Sequence, residues 1–162
     1  MDALARKVGE RLKAANALLV TAESCTGGWV AQAITSVAGS SEWFERGFVT
    51  YSNAAKEELL GVSPAVLQRH GAVSEETARE MALGALTHSR GTIALSITGI
   101  AGPGGGSPDK PVGMVCFGWA RNGAVNTQTC RFPGDRESVR RQSVIHALEE
   151  LLKWLDATGS RP

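Results

Sequence analysis

The chain has 162 residues, of which 43% are hydrophobic and 20% are charged, which is typical of a single globular domain. Its 17 basic and 16 acidic residues leave a formal net charge of +1. That balance excludes an overall field that would recruit nucleic acid or an anionic membrane surface, so any anionic ligand must be bound at a local site.

Helical and strand patterns alternate through the first half of the chain. Each segment is assigned from the period of its apolar residues and from the residues that begin and end it. The predicted elements are a helix over 4–15, a strand over 17–21, a helix over 29–38, a strand over 48–51 and a helix over 54–60. Asp2 and Asn53 are the predicted helix caps, and Gly39 and Gly61 are the predicted helix stops.

The second half predicts the same alternation and adds one hairpin. Pro64 begins a short helix, and Ser74 begins a longer one that ends near His88. Asn122 and Gly123 separate two strand-like runs and predict a type I′ turn between antiparallel strands. The predicted elements are helices over 64–70 and 75–88, strands over 92–98, 112–121 and 124–132, and a final helix over 135–155.

These elements predict an α/β fold, namely a single-domain α/β/α layer sandwich with a mixed sheet that includes the antiparallel hairpin. The domain spans residues 1–162, with a frayed tail expected over 156–162. The large final helix and the pair Trp43 and Phe44 offer apolar surfaces on which identical subunits would meet, so a homo-oligomer is expected.

The cysteines and the N-terminus indicate a cytoplasmic protein. Cys25, Cys116 and Cys130 have neither CxxC spacing nor a histidine at metal-ligand spacing, which argues against a disulfide framework and against a zinc site. The amphipathic, charged N-terminus lacks the apolar core of a secretory signal. No apolar run approaches the roughly 20 residues of a membrane span.

The 19 glycines cluster in two places that predict ligand loops. The densest cluster, 99–106, is not a Walker A motif, because Lys110 is followed by Pro111 and not by Ser or Thr. It is not a Rossmann fingerprint either, because Ser107 stands where the third glycine would be. Tyr51 and Lys56 are separated by four residues, which does not fit the spacing of short-chain dehydrogenases. ATPase and dehydrogenase functions therefore lose support.

The other glycine cluster follows Ser24, which is predicted to lie on a strand-to-helix turn. The amides from Cys25 to Gly28 would form the first helical turn and point together at an anion or a developing oxyanion. None of the three histidines lies in a recognisable triad, so lysine is the alternative base for a nucleophilic serine. Lys56, near the start of the helix capped by Asn53, would have its pKa depressed by the helix dipole and by burial.

Each of these residues also has a purely structural interpretation. Ser24 would then cap the following helix, Lys56 would be a solvated surface lysine, and Tyr51 would be a packing residue. The glycine-rich loop would be a flexible connection. Arg136, Arg140 and Arg141 would form an exposed helical face, although any of them is able to reach a phosphate.

Four ordered motifs resemble the CinA C-terminal domain family, and together they cover residues 3–155. These motifs are TAESCTGG at 21–28, VTYSNAAKEELLGV at 49–62, HGAVSEETAREMA at 70–82 and SITGIAGPGGGSPDKPVG at 96–113. The family includes stand-alone nicotinamide mononucleotide deamidases. Longer members carry a further N-terminal domain of molybdopterin-binding type, whose functions are not transferred to this chain.

The resemblance implies an amidohydrolase of pyridine nucleotide recycling, within NAD metabolism, that converts nicotinamide mononucleotide to nicotinate mononucleotide and ammonia. The family's nucleophile falls on Ser24, and its tyrosine and lysine fall on Tyr51 and Lys56. The implied partner is the small nucleotide substrate, with neither nucleic acid nor a membrane. The steps of this Ser-Lys reaction need no metal and no redox cofactor.

The resulting hypothesis is that neutral Lys56, directly or through the Tyr51 hydroxyl, deprotonates Ser24 as it attacks the carboxamide carbon. The amides of Thr26 and Gly27 are predicted to bind the oxyanion. Residues predicted to contact substrate, including its ribose or 5′-phosphate, are Glu23, Gly28, Thr98, Gly99, Gly102, Gly104, Gly105 and Arg140. The alternatives are a non-catalytic nucleotide-sensing or protein-interaction module and a hydrolase of another phosphorylated amide.

Overall fold

Five strands form one mixed sheet within residues 1–159, which are the residues that the computed structural model describes. In space their order is β2-β1-β3-β4-β5. β1 pairs in parallel with both β2 and β3, whereas β4 is antiparallel to β3 and β5 is antiparallel to β4. The strands are β1 (Leu19–Glu23), β2 (Phe44–Val49), β3 (Ile93–Gly99), β4 (Met114–Arg121) and β5 (Ala124–Arg131).

Helices cover both faces of this sheet. They are α1 (Asp2–Ala14), α2 (Trp29–Thr35), α3 (Asn53–Leu60), α4 (Pro64–His70), α5 (Glu75–Thr87) and α6 (Arg136–Gly159). The side chains of α1, α2 and α6 pack into one buried cluster, and those of α3, α4 and α5 pack into the other. The predicted α/β/α layer sandwich with a mixed sheet and one hairpin is therefore confirmed.

The two clusters divide the side chains of each central strand by their period of two. In β3, Ile93, Leu95 and Ile97 face the cluster of α1, α2 and α6, whereas Ala94 faces the cluster of α3 to α5. Both faces of the strand are covered, which explains its nearly continuous apolar sequence. Each large apolar side chain buried in this way contributes about 1.5–3 kcal/mol.

Small residues let α5 approach the sheet closely. A Cβ on Gly118 of β4 would lie 2.6 Å from the Ala78 carbonyl oxygen of α5. The neighbouring Ser96 hydroxyl donates to the same carbonyl at 2.6 Å. Only glycine leaves room at position 118 for this backbone-to-backbone approach.

The hairpin and the helix starts at Pro64 and Ser74 are confirmed. Asn122 and Gly123 both have positive φ, 52° and 80°, as a type I′ turn requires. The Ser74 side chain caps α5 by accepting from the Thr77 amide. These local signals were reliable because each depends on residues that adjoin one another in the chain.

Several predicted boundaries were wrong. Asp2 is the first residue of α1 and not its cap, and Ser52 instead of Asn53 caps α3 by accepting from the Ala55 amide. β1 runs two residues beyond its predicted end at Thr21. β2 lies at 44–49 instead of 48–51, so Tyr51 follows the strand.

The ends of α2 and α6 also differ from the prediction. α2 stops at Thr35, and a short 3₁₀ turn occupies Ser40–Glu42 before β2. α6 continues to Gly159, where a frayed tail from 156 was predicted; residues 160–162 of that predicted tail lie outside the described residues. Trp43 is 4% exposed and packs on Gly9, so it is part of the core and not a surface for subunit contact.

No helix within residues 1–159 combines the length and the apolar character that crossing a membrane requires.

The parallel strands bring three chain segments to one edge of the sheet. β1, β2 and β3 run in the same direction, so Glu23, Val49 and Gly99 end at the same edge. The segments that leave these ends carry Ser24, the pair Tyr51 and Lys56, and the glycine-rich loop. A crevice at the carboxyl ends of such strands is where open α/β sheets bind ligands.

Candidate active site

Ser24 and Lys56 meet beside the end of β1. Lys56 Nζ lies 3.0 Å from Ser24 Oγ and donates to the Thr50 carbonyl oxygen at 2.8 Å. Ser24 itself is held by its backbone amide, which donates to the Ile97 carbonyl of β3 at 2.9 Å. The two side chains are 32 residues apart in sequence, and the parallel pairing of β1 with β2 brings them together.

Lys56 is almost completely buried, with 1% of its surface exposed. It lies on the inward face of α3, which begins at the Ser52 cap and ends at Gly61. Among the described residues, Lys56 takes part in no ion pair. Burial lowers the pKa of its ammonium below the ordinary value of 10.5, so a neutral amine becomes accessible closer to physiological pH.

The sequence predicts a first helical turn directly after Ser24. The structure has a tight turn there instead. α2 begins only at Trp29, after Gly27 and Gly28 with φ of 60° and 102°. These positive φ values favour glycine, which explains the paired glycines of the motif. We call residues 24–28 the nucleophile turn.

The two predicted oxyanion donors, the amides of Thr26 and Gly27, differ in the hydrogen bonds that they make. The Gly27 amide donates to the Ser24 carbonyl at 3.0 Å, so it is already used inside the nucleophile turn. The Thr26 amide, by contrast, donates to no acceptor among residues 1–159. Thr26 is fully buried, however, and neither residue lines the cavity in front of Ser24.

Glu23 lies beneath the nucleophile turn and is fully buried. Its carboxylate accepts from the Thr26 hydroxyl at 2.6 Å and from the amides of Val30 and Ala31 at 2.9 and 3.1 Å. These three donors occupy the carboxylate, which therefore anchors the start of α2. This position does not agree with the prediction that Glu23 contacts the substrate.

Cys25 adjoins Ser24 and is the other nucleophilic side chain at this position. Burial raises the pKa of its thiol to about 12, so the thiol stays protonated at neutral pH. Because the thiolate is the reactive form of cysteine, Ser24 is the more suitable nucleophile despite the intrinsic reactivity of sulfur.

A cavity of about 260 Å³ opens in front of Ser24. Its size is close to the lower end of the range of roughly 300–1,000 Å³ for small-molecule sites, which fits a small metabolite. The lining residues come from the nucleophile turn, the segment after β2, the glycine-rich loop and the start of α6: Ser24, Cys25, Tyr51, Gly99, Ile100, Ala101, Gly102, Gly104, Gly105 and Arg136.

The glycine-rich loop forms one wall of the cavity, as was predicted for Gly99, Gly102, Gly104 and Gly105. Gly102 and Gly105 have positive φ, 83° and 88°, and a Cβ on Gly104 would project into open space. The loop therefore presents backbone to the cavity at short range, which is the arrangement by which such loops bind anions.

Tyr51 and Arg136 meet at the rim of the cavity. The Tyr51 side chain is 63% exposed, and its hydroxyl accepts from Arg136 Nη2 at 3.3 Å. Arg136 Nη1 donates to the Gly102 carbonyl at 2.8 Å. Two routes were predicted for the Ser24 proton, directly to Lys56 or through the Tyr51 hydroxyl, and the contact between Lys56 and Ser24 fits the direct route.

Arg140 lies one helical turn further along α6 and is not a lining residue of this cavity. It donates to the Cys25 carbonyl through Nε at 3.0 Å and to the Thr26 carbonyl through Nη2 at 3.1 Å. Its guanidinium contacts the nucleophile turn, whereas the cavity contact predicted for it is made by Arg136. Arg136 is thus the site residue that sequence reasoning did not single out from its neighbours.

Two other predicted substrate contacts lie away from the cavity. The Thr98 hydroxyl is buried and donates to the Ala72 carbonyl at 2.7 Å. Gly28 is the residue before α2, and a Cβ there would approach the Val49 side chain. Both residues shape the surrounding structure instead of lining the cavity.

The described residues contain no group of three or more His, Cys, Asp or Glu side chains that could hold a metal ion. The polar groups at the cavity are instead a hydroxyl, a buried amine, a guanidinium and backbone amides. Such a set is suited to nucleophilic attack on a carbonyl carbon, with the amine as the base and an amide as the oxyanion donor.

Comparison with known sequences gives strong similarity over nearly the whole chain. A profile of the CinA C-terminal domain matches residues 1–155. The nicotinamide-nucleotide amidohydrolase PncC of Escherichia coli K12 is 56% identical over 150 residues, covering 91% of this chain and 90% of that protein. The protein of the same name from Pseudomonas putida is 51% identical over 150 residues, covering 93% and 94%.

Comparison with solved structures agrees with the sequence comparison. The crystal structure of the competence/damage inducible protein CihA from Agrobacterium tumefaciens superposes with a TM-score of 0.92. It is 47% identical in sequence, and the match covers 96% of this chain and 94% of that one. The fold is therefore shared along essentially the entire length of both proteins.

Proposed function

The chain belongs to the CinA C-terminal domain family, and from that membership we propose that it is a nicotinamide-nucleotide amidohydrolase. It hydrolyses the carboxamide of nicotinamide mononucleotide and releases nicotinate mononucleotide and ammonia. Relatives that carry this name are 51–56% identical to it over more than 90% of its length. The reaction requires only the substrate and water.

The observation that carries the mechanism is the 3.0 Å contact between Lys56 Nζ and Ser24 Oγ at a substrate-sized cavity. A serine hydroxyl is a weak nucleophile unless a base lies within hydrogen-bond distance. The buried amine, with its lowered pKa, is such a base. The Thr50 carbonyl fixes the amine by accepting a hydrogen bond from it, and the lone pair of the neutral amine is then directed to the Ser24 hydroxyl.

The reaction proceeds in two halves. Neutral Lys56 takes the hydroxyl proton as Ser24 Oγ bonds to the carboxamide carbon, and a backbone amide of the nucleophile turn donates to the oxyanion that forms. The C–N bond then breaks, and the Lys56 ammonium returns its proton to the departing nitrogen as ammonia leaves. Water attacks the acyl-enzyme, Lys56 accepts its proton and returns it to Ser24 Oγ, and nicotinate mononucleotide is released.

Incubation of the purified protein with nicotinamide mononucleotide tests the proposal. Ammonia release in a coupled assay and formation of nicotinate mononucleotide by chromatography are expected in a 1:1 ratio. Binding of the nucleotide without ammonia release would instead favour a sensing module. Release from a different phosphorylated amide, with none from this nucleotide, would favour the other hydrolase.

Arg136 is proposed to bind the 5′-phosphate. Its guanidinium lies at the cavity and is held between the Gly102 carbonyl and the Tyr51 hydroxyl, which are neutral partners that a phosphate dianion would outcompete. Replacing Arg136 with Met is expected to raise KM for nicotinamide mononucleotide by about 10- to 100-fold, because a hydrogen bond to a charged group is lost.

The dephosphorylated riboside serves as the control ligand for this variant. Its KM is expected to be the same for wild type and Arg136→Met, since it offers no phosphate to the guanidinium. Arg141→Met, a change to an exposed arginine on the same helix that is not a lining residue of the cavity, is expected to leave both KM values unchanged. Equal losses for nucleotide and riboside would show that Arg136 contacts some other part of the substrate.

Tyr51 is proposed to contact the substrate at the rim of the cavity instead of relaying a proton. Tyr51→Phe removes the hydroxyl bonded to Arg136 but keeps the exposed ring. We expect kcat to fall by no more than about tenfold, less than the loss of a general base, which is about 10²- to 10⁴-fold. A loss in kcat as large as that of Lys56→Met would restore the relay role.

A further inference from the structure

The cavity in front of Ser24 has basic groups at its wall and no acidic ones. Among the described residues that line it, Arg136 is the only charged one. Lys56 adjoins the cavity through the 3.0 Å contact of its Nζ with Ser24 Oγ. An arginine guanidinium does not lose its proton in proteins, whereas a lysine ammonium does. Lys56 is therefore the basic group at this site whose positive charge is removable.

The nucleophile turn supplies no negative charge that would balance an ammonium on Lys56. Cys25 is the one titratable group whose charge acts on the pKa of Lys56, and burial raises the pKa of that thiol to about 12, so it is neutral. The Glu23 carboxylate is occupied by a hydroxyl and two amides of the described chain. Arg140, bonded to the carbonyls of the turn, is itself a cation.

The helices on the other side of Lys56 supply no such charge either. α3 carries Lys56 and packs with α5 in one buried cluster. Of the α5 carboxylates, Glu75 accepts from two threonine hydroxyls, and Glu80 accepts from the amide that precedes α4. The charged residues near Lys56 on α3 and on the first half of α5 all retain exposed surface: Glu57, Glu58, Glu75, Glu76, Arg79 and Glu80.

The proposed substrate brings a permanent positive charge close to this amine. The ring nitrogen of nicotinamide mononucleotide carries the ribose and is a pyridinium cation, and the carboxamide is attached to the same rigid ring. For attack by Ser24 Oγ, the carboxamide carbon must lie about 3–3.5 Å from that oxygen. Given the 3.0 Å contact between Lys56 and Ser24, the charged ring nitrogen then lies no more than about 10 Å from Lys56 Nζ.

Two positive charges at that separation affect each other measurably. At an effective dielectric constant of about 20, unit charges about 10 Å apart change an equilibrium by about tenfold, and closer charges change it more. The 5′-phosphate acts in the opposite direction, but the ribose separates it from the ring, and it is proposed to pair with Arg136. Because Lys56 is 1% exposed, water screens the repulsion from the ring only weakly.

We infer that the positive ring of the bound nucleotide drives the Lys56 proton into solvent, so that the substrate itself generates the neutral base that Ser24 requires. The N–H electron pair stays on Nζ as the lone pair that later accepts the Ser24 proton. This inference rests on the proposed function and deepens it, because it specifies the substrate class as carboxamides of a cationic, N-substituted pyridine ring. An amide of the same shape on a neutral ring leaves Lys56 protonated more often.

The first test counts the protons that binding releases when no turnover occurs. Ser24→Ala is titrated calorimetrically with nicotinamide mononucleotide in buffers of different ionisation enthalpy. A series from about pH 7.5 to about 9.5 keeps the 5′-phosphate fully ionised. A tenfold shift of the Lys56 equilibrium releases at most roughly half a proton per bound nucleotide, near the pKa of Lys56 in the free protein. We expect a release of about that size or larger.

A matched ligand and a matched variant identify the source of the proton. The control ligand is the C-nucleotide in which a benzene ring replaces the pyridinium ring, with the same carboxamide, ribose and phosphate. It is expected to release no proton, because its ring is neutral. Ser24→Ala combined with Lys56→Met is expected to release none with either ligand. Equal release for both ligands would mean that exclusion of water, and not ring charge, removes the proton, which would overturn the inference.

The second test uses the pH dependence of the wild-type enzyme. The pH profile of kcat/KM reports the free enzyme, and that of kcat reports the enzyme–substrate complex. With nicotinamide mononucleotide, kcat is expected to rise at lower pH than kcat/KM, so KM falls by about tenfold as pH increases through that interval. With the benzene analogue, the two rises are expected to coincide. A rise in kcat at the same pH as kcat/KM, or at higher pH, for the natural nucleotide would overturn the inference.

The outcomes separate this inference from the proposed function. Proton release that requires both the cationic ring and Lys56, together with no ammonia from the wild-type protein, would contradict the proposed function and leave the charge coupling standing. Turnover without proton release at any pH of the series would overturn the coupling alone. Release that persists in Lys56→Met would assign the proton to another group and also overturn it. Failure of the nucleotide to bind would contradict both.

Discussion

Ser24→Ala is expected to lower kcat for nicotinamide mononucleotide by about 10³- to 10⁶-fold, because the atom that bonds to the carboxamide carbon is removed. No neighbouring group replaces it. The adjacent thiol of Cys25 has its pKa raised by burial to about 12, so it is protonated at neutral pH. Ammonia release measured at substrate saturation gives the kcat ratio directly.

The same variant is expected to fold normally and to bind substrate. Ser24 is 8% exposed, and its backbone contact with the Ile97 carbonyl does not involve the side chain. Loss of a single hydroxyl contact changes the free energy of unfolding by about 1 kcal/mol. Circular dichroism and calorimetric titration with the nucleotide check both points. Ammonia release within tenfold of wild type would rule out Ser24 as the nucleophile.

Lys56→Met is expected to lower kcat at neutral pH by about 10²- to 10⁴-fold, because methionine fills the space of the lysine stem but carries no base. In the wild type, only the neutral amine accepts the Ser24 proton, so kcat/KM is expected to rise with pH. The rise is centred on the lowered pKa of Lys56, below its ordinary 10.5. A residual activity in the variant with the wild-type pH profile would assign the base to another group.

Stability is expected to depend on pH through the same residue. Lys56 has a pKa of 10.5 in the unfolded chain and a lower pKa when folded, because burial disfavours its charge. Between those two values the unfolded chain binds more protons, so the wild-type free energy of unfolding rises with pH. Lys56→Met lacks this contribution.

The difference between wild type and Lys56→Met therefore gives the sign of the pKa shift. The wild-type protein should gain stability relative to the variant as pH rises towards 10.5, and the difference should be constant below the folded pKa. Urea titrations at a series of pH values measure both free energies. A difference that falls as pH rises would mean that the folded environment favours the charged lysine.

The strands illustrate what the sequence is able to predict. β3 was located to within one residue because both of its faces are buried and its sequence is continuously apolar. β2 was displaced because it is an edge strand in which Glu45, Arg46 and Gly47 interrupt the apolar pattern. Its pairing with β1, not its own composition, makes it a strand.

The site residues divide in a similar way. Ser24, Lys56 and the glycines of the 99–106 loop were identifiable because each follows a strand end, where ligand crevices form. Arg136 and Arg140 were not distinguishable, since residues four apart lie on the same face of a helix. The rise of about 6 Å between them places one at the cavity and the other at the nucleophile turn, and that distance depends on how α6 packs on the sheet.

Likewise, no local pattern separates the amides of Thr26 and Gly27. Their difference arises from the tight turn, in which the Gly27 amide donates back to the Ser24 carbonyl. A helix beginning at Cys25, as predicted, would have left both amides unbonded. Because of the two left-handed glycines, the helix begins only at Trp29, and this changes which amides are left without an acceptor.

The buried carboxylate of Glu23 bears on when the site acquires its order. Its bonds to the Thr26 hydroxyl and to the amides of Val30 and Ala31 form as the protein folds, whether or not a nucleotide is present. The conformational entropy of the nucleophile turn is thus lost during folding, outside the catalytic cycle. The turn enters each cycle preorganised, so the binding free energy of the substrate is available to orient the carboxamide and not to order the protein around it.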